Sequence, residues 1–186
     1  MQELPFLLKD ALQGIGNTHP MGTTAIFENF LYRATAKEKQ EMTPLILSAI
    51  TRQMQTAHDI IDGAPQREAA LRKKIAAEGF GDKVRGQVAT EPNDTATASR
   101  KLELALNVLR PVVCHASGFI NSTNAGSLQQ LLVDTFVKES VNFTVRYNTG
   151  LFLAGILNRN PSAFAAPKRA QPLKRTTHQK VPKSPK

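Results

Sequence analysis

The densest chemistry in this chain is cationic and lies near its end. Lys168-Arg169 and Lys174-Arg175 are adjacent pairs of bases, followed by Lys180, Lys183 and Lys186. Residues 161–186 hold these seven bases and no acid, which is +7 of the net +9, while residues 1–160 carry 17 bases against 15 acids. The same stretch holds five of the eleven prolines (Pro161, Pro167, Pro172, Pro182 and Pro185) and no aromatic residue after Phe164. Cations on an extended chain match a nucleic-acid backbone, because each can settle on a phosphate and release counterions without a fixed fold. With no aromatic among them, base stacking is not expected from this segment. A second group of bases, Arg72, Lys73, Lys74, Lys83 and Arg85, is interleaved with Glu68, Glu78 and Asp82 and is expected to contribute less. Together these twelve bases are the expected nucleic-acid contacts, to phosphate rather than to base edges, with RNA and DNA both open. Two other readers of the basic segment stay open: a nuclear import receptor and an anionic membrane surface. A translocation address is a further alternative.

Other reactive residues form no constellation. His58 and Asp62 stand one helical turn apart, at most half a metal site, and are read as a surface pair. Cys114 and His115 are adjacent, so on a helix they point about 100° apart and cannot act as nucleophile and base together. Cys114 is read as a small buried hydrophobe. The segment Gly79-Phe80-Gly81-Asp82-Lys83-Val84-Arg85-Gly86 is glycine-rich but lacks the Gly-Lys-Ser/Thr of a phosphate loop, and no strand precedes it. It is read as a linker. The Asn-X-Ser/Thr triplets at Asn93, Asn121 and Asn142 are read as chance occurrences and helix caps. No catalytic residue, metal ligand or cofactor is expected, and the chain is read as non-enzymatic. A single Cys excludes an intrachain disulfide framework.

The elements that must position these residues are helical. Leu4, Leu7, Leu8, Ala11 and Leu12 are spaced for a helix over 3–13, ended by Gly14. Ile26, Phe27, Phe30, Leu31 and Ala34 mark a second, from Thr23 or Thr24 to Ala34. A third is expected over 43–63, with Thr43 as cap, Pro44 in the first turn and Gly63 as the stop. Its apolar arc is Ile46, Leu47, Ala49, Ile50, Met54, Ala57, Ile60 and Ile61. Residues 65–78 form a helix that is polar all round and therefore exposed. Residues 79–93 read as a linker. Asp94 then caps a long helix through Leu102, Leu106, Leu109 and Val113, with a kink or break at Pro111 and an end at Gly118. Residues 121–127 read as a cap and loop, followed by a helix from Leu128 to about Glu139. In 141–147 apolar and polar residues alternate and strand formers abound, which favours a short β-hairpin near 141–157 over a kinked helix pair.

The expected architecture is thus mostly α: a bundle of about five to six helices over residues 1–160, followed by a disordered basic proline-rich tail over 161–186. No apolar run reaches the roughly 18 residues of a membrane span, so no integral span is expected. The N-terminus lacks the pattern of a secretory signal, so an intracellular site is expected, nuclear in a eukaryotic or viral setting. The function that fits is sequence-independent nucleic-acid binding by the basic tail, of a packaging, coat, nucleoprotein-like or architectural kind, with helix faces available for self-association. The alternative is a protein–protein interaction module or translocated effector whose tail is an address. Removing 165–186 is expected to leave helical content and melting temperature nearly unchanged by circular dichroism. A large drop in melting temperature would show that the segment packs on the core.

Overall fold

The computed structural model describes residues 11, 20–79 and 81–164, with backbone alone at 20–21, 78, 82–84 and 86–93. Among the described residues there are five α-helices and no strand. They are α1 (Pro20–Arg33), α2 (Ala36–Glu78), α3 (Asp82–His115), α4 (Ser122–Val137) and α5 (Phe143–Arg159), with a 3-10 turn at Ser117–Phe119 between α3 and α4. The expected helix over 3–13 lies outside the described residues except for Ala11, which is helical and buried. The whole of 165–186 also lies outside them.

The α2 helix begins eight residues before Pro44, and the cap explains why. Thr35 and Glu38 form a capping box: the Thr35 hydroxyl accepts from the Glu38 amide at 3.3 Å, and the Glu38 carboxylate accepts from the Thr35 amide at 2.8 Å. These bonds hold the Glu38 carboxyl below the ordinary carboxylate range. Thr43 is therefore not a cap but a buried mid-helix residue, and Gly63 is not a stop. The expected helices over 43–63 and 65–78 are one 43-residue helix that runs through Pro44 and Pro65. A proline removes one hydrogen bond and crowds the preceding turn, at a cost of about 3 kcal/mol. Gln40, whose carbonyl Pro44 cannot serve, is exposed to water. Near Pro65, the Arg67 guanidinium donates to the Ile60 carbonyl at 2.7 Å.

The expected linker over 79–93 is also corrected. The chain turns at Gly79, whose φ of +79° suits a residue without a side chain, and α3 starts at Asp82. It continues for 34 residues through Gly86, Pro92 and Pro111, so Asp94 is no cap and Pro111 no break. Buried side chains surround Pro111: Val108, Leu109, Val112 and Val113. Removing a Val or Leu from water contributes about 1.5–3 kcal/mol, so this cluster outweighs one proline.

The hairpin expected near 141–157 is a helix. Asn142 caps α5 by accepting from the Thr144 amide at 2.8 Å, and α5 buries Val145, Thr149 and Ile156 with half-buried Phe152 and Leu153. That spacing is helical, and tertiary burial overrides the strand propensity of the alternating residues. The chain leaves α4 at Lys138 and re-enters helix at Phe143, which puts Glu139 in water instead of in the apolar arc.

The helices close a ring. α2 packs on α3, α3 on α5, α5 on α4 and α4 on α2, with α1 laid on α3. The core is what they enclose: Phe27 and Leu31 from α1, Ile46 to Ile61 along one arc of α2, Ala98 to Val113 along α3, Leu128 and Leu132 from α4, and Ile156 from α5. The expected α2 arc is thus the core-facing one, with Ile60 half-buried at its margin. Asn160 ties the end of α5 to the α3–α4 connection, donating to the carbonyls of Ser117 (3.0 Å) and Ile120 (2.7 Å).

Two helices outgrow this ring. At 1.5 Å per residue α2 and α3 are about 65 and 50 Å long, against about 25 Å for α4 and α5. None of the described side chains between Asp62 and Thr97 is buried. The distal parts of α2 and α3 therefore form a two-helix arm beyond the core, with Arg67, Leu71, Lys74 and Ile75 half-covered along one stripe. Core and arm differ in what a truncation costs. Ile50→Ala, at a fully buried side chain, is expected to lose about 2–5 kcal/mol in urea denaturation, with Leu71→Ala on the arm losing clearly less. Equal losses would place the arm inside the core.

Candidate nucleic-acid interface

The twelve expected contact residues fall in two places. Lys168, Arg169, Lys174, Arg175, Lys180, Lys183 and Lys186 lie outside the described residues. Arg72, Lys73, Lys74, Lys83 and Arg85 are all on the arm, on either side of its turn. Arg72, Lys73 and Arg85 are exposed, Lys74 is half-buried, and Lys83 is placed by its backbone in the first turn of α3. The segment read as a glycine linker thus presents Lys83 and Arg85 from a helix.

The arm is not a uniformly positive surface. Arg72 donates to Glu68 at 2.5 Å, one turn back on the same exposed face. Pairs of this kind are worth at most about 1 kcal/mol, so Arg72 can exchange Glu68 for a phosphate at little cost. Across residues 63–97 the bases Arg67, Arg72, Lys73, Lys74, Lys83 and Arg85 face the acids Glu68, Glu78, Asp82, Glu91 and Asp94. Near-neutrality weakens the arm's long-range attraction for an anion.

The cavities do not offer phosphate a better place. A groove of about 920 Å³ between α2 and the start of α4 is lined by Gln40, Ser48, Thr51, Asn121, Asn124 and Ser127 among others, with no charged group. A second, of about 770 Å³, lies where α3 meets the start of α5 and sets Arg100 beside Glu103.

His58 is corrected from a surface residue to a buried one, 3% exposed. Met54, Ala57, His58 and Ile61 share one helical face, and that spacing was the signal for burial. The imidazole Nε2 lies 2.7 Å from the Thr135 hydroxyl, which itself donates to the Leu131 carbonyl at 2.6 Å. The Thr135 proton is thereby used, so Nε2 must carry the ring's own proton and donate. Nδ1 is left as an acceptor, and the Lys138 ammonium donates to it at 3.4 Å while also pairing with Asp62. Burial, and next the Lys138 charge, hold the imidazole below its ordinary value, against the weaker pull of Asp62, Asp134 and Asp59. A neutral ring with both nitrogens engaged has no lone pair for a metal or for base catalysis. What it does is tie α2 to the end of α4. Sequence reasoning missed Thr135 and Lys138 because they stand 77 and 80 residues away.

Cys114 is also corrected: its side chain is exposed rather than buried. His115 turns to α1, edge-on to the Tyr32 ring at 5.6 Å and 4.0 Å from the Glu28 carboxylate. Among the described residues no group of three His, Cys, Asp or Glu side chains could hold a metal ion, and no helix is long and apolar enough to cross a membrane.

The His58 clamp has a pH signature. A depressed imidazole means the unfolded chain binds a proton more readily than the folded one, so stability rises with pH through that window. The contribution is complete above the ordinary value of 6.5 and is lost as pH falls from there through the lower folded value. Urea midpoints measured from pH 7.5 down to about 5 are expected to fall more steeply for the wild type than for His58→Gln. Parallel curves would remove the clamp as the cause. The Glu38 cap is lost only at more acidic pH, below its ordinary value of 4.5, so the two windows separate.

No protein-family model matches this chain, and neither does any curated protein or solved structure.

Proposed function

We propose that this protein binds nucleic acid without an enzymatic step, through phosphate contacts made by the basic segment at 161–186. The observation that carries the reading is charge segregation. Seven cations without an acid are concentrated in one proline-rich stretch, beside a helical domain that is close to neutral. Such a stretch gains affinity by counterion release and reads no base sequence. The helical domain then serves as the scaffold that carries it, and the arm cations Arg72, Lys73, Lys74, Lys83 and Arg85 add a smaller share. Packaging, nucleoprotein-like assembly and an architectural role on DNA or RNA all follow from the same chemistry.

A second reading, an interaction module whose basic segment is an address, is favoured by one observation: the exposed apolar side chains of α4 and α5, among them Phe136, Phe143 and Tyr147. Deleting 165–186 separates the two. Loss of nucleic-acid binding supports the first, and intact binding with altered cellular location or export supports the second.

The mechanism is tested by salt. Seven cations set a limiting slope of log affinity against log salt of about −6 on duplex and about −5 on single strands. Replacing Lys168, Arg169, Lys174 and Arg175 with Ala is expected to flatten that slope by roughly 3 and to weaken all sequences alike. Salt-independent binding, or an unchanged slope in the four-Ala variant, would overturn phosphate binding by this segment.

A further inference from the structure

The outer surface of α4 and α5 is apolar where a surface helix is normally polar. Val133, Phe136 and Val137 stand at i, i+3 and i+4 on α4, and Phe143, Tyr147 and Leu151 at i, i+4 and i+8 on α5. All six are exposed, from 38% at Val133 to 73% at Phe143. Both helices also bury their opposite sides, through Leu128, Leu132 and Thr135 and through Val145, Thr149 and Ile156. α5 thus carries apolar side chains on two sides, one in the core and one in water.

The two stripes are one continuous patch. The Phe136 ring lies against the α5 backbone at Gly150, where an added Cβ would come within 2.9 Å of it. The Phe143 and Tyr147 rings stack with centroids 6.3 Å apart. With side-chain surfaces of roughly 150–250 Å² for the aromatic members, the six exposures amount to about 600 Å² of open surface. That is the upper limit for the largest apolar patch on an ordinary monomer, roughly 300–600 Å². With a polar rim it reaches the ~800 Å² that each partner contributes to a stable interface.

We infer that this α4–α5 face is the contact between two copies of the chain, related by a two-fold axis. The area argument fits a second copy, and the chemistry narrows the choice. None of the six residues is charged, so the patch gives no handle to an acidic or basic partner, and the chain's own cationic, proline-rich segment is a poor complement to it. Its best complement is another apolar aromatic surface, and a two-fold contact supplies the same patch from both sides. Half of the six are aromatic, which matches the enrichment at interface centres. Two α4–α5 pairs would then face each other as a four-helix layer, burying the outer side of α5 as its sequence requires. The inference stands apart from nucleic-acid binding, since a monomer could still bind phosphate through residues 161–186.

The test is sedimentation equilibrium on the full, nuclease-treated chain over micromolar to submillimolar concentrations. It is run at salt high enough to strip phosphate contacts, so that bridging by nucleic acid cannot contribute. The wild type is expected to give a dimer mass. The double variant Phe143→Glu/Leu151→Glu is expected to weaken dimerisation at least tenfold with unchanged circular dichroism. The control Leu45→Glu, at an exposed residue of α2, is expected to leave the dimer intact. A monomer at every concentration, a dimer indifferent to the double variant, or equal disruption by Leu45→Glu would overturn the inference. So would a monomer that dimerises only after removal of 165–186, because the chain's own segment would then be the occupant. Single-strand binding lost in Tyr147→Glu by a protein that is always monomeric would assign the aromatic patch to bases instead, and would equally overturn it.

Discussion

The apolar seam between α2 and α3 is the interaction on which the rest of the structure depends. Ile46, Leu47, Ile50 and Met54 on one side, and Leu102, Ala105, Leu106 and Leu109 on the other, are removed from water almost completely. At about 1.5–3 kcal/mol for each large side chain, this burial dwarfs any single local preference. It keeps α2 helical past Pro44 and α3 helical past Pro111, and it sets the axis on which the shorter elements find their places. α1 fills one side of α3 with Phe27 and Leu31, and α4 and α5 close the opposite side. The His58–Thr135 bond, buried between the two helices, fixes the height at which α4 crosses α2.

The legible and illegible parts of the fold divide along the same line. Helical periodicity is readable where one face is buried, so most of the apolar residues in the arcs through Ile46 to Ile61 and Leu102 to Val113 are legible, whereas buried Thr43, His58 and Val108 are not. Boundaries were misread because prolines and glycines were weighed as local signals. Gly63 and Pro65 form a strong stop signal by themselves, but a helix already held by its seam continues through them. The capping box at Thr35 and Glu38 is legible as Thr-x-x-Glu, but Thr43-Pro44 offers the same kind of start signal eight residues later. At 141–147 the residue types were those of a strand, and only the spacing of Val145, Thr149, Phe152 and Ile156 showed the helix that burial selects. The burial of His58 follows from its spacing with Met54, Ala57 and Ile61 rather than from its residue type, and its partners across the bundle have no sequence signal. Cys114 was misplaced because its neighbours Val112 and Val113 are buried while it lies just outside their arc. For the proposed interface, the cations were legible from composition, and the arm that carries five of them was not.

Chemistry and architecture are separated in this chain to an unusual degree. The ionisable groups of residues 1–160 are dispersed and nearly balanced, 17 bases against 15 acids. The polar grooves at the bundle surface are neutral or carry one base beside one acid. The cationic segment, in contrast, has dense charge of one sign and little apolar content after Phe164. In the proposed reading one part of the molecule supplies shape and the other supplies affinity. The two would be joined through copy number: each additional subunit in an assembly adds another cationic segment to the same particle, and attachment strengthens by effective concentration rather than by new contacts.

The two-helix arm gives the molecule an uneven mechanical grain. Among the described side chains, Ile61 and Ala98 are the last buried ones at its base, and beyond them those described are half-covered or exposed. Opening the arm exposes no buried residue among the described side chains, whereas opening the ring exposes the whole seam. The free energies of these two events therefore differ, and the arm behaves as a separate cooperative unit that can melt while the ring stays closed. Backbone amides along residues 66–79 report on that lower barrier through hydrogen exchange, and those near Ile50 and Leu106 report on global unfolding. The line between Ile61 and Ala98 is where one regime gives way to the other, so a protease acting on the native protein would cut on the arm's side of it and leave the ring folded with α1 still laid on it.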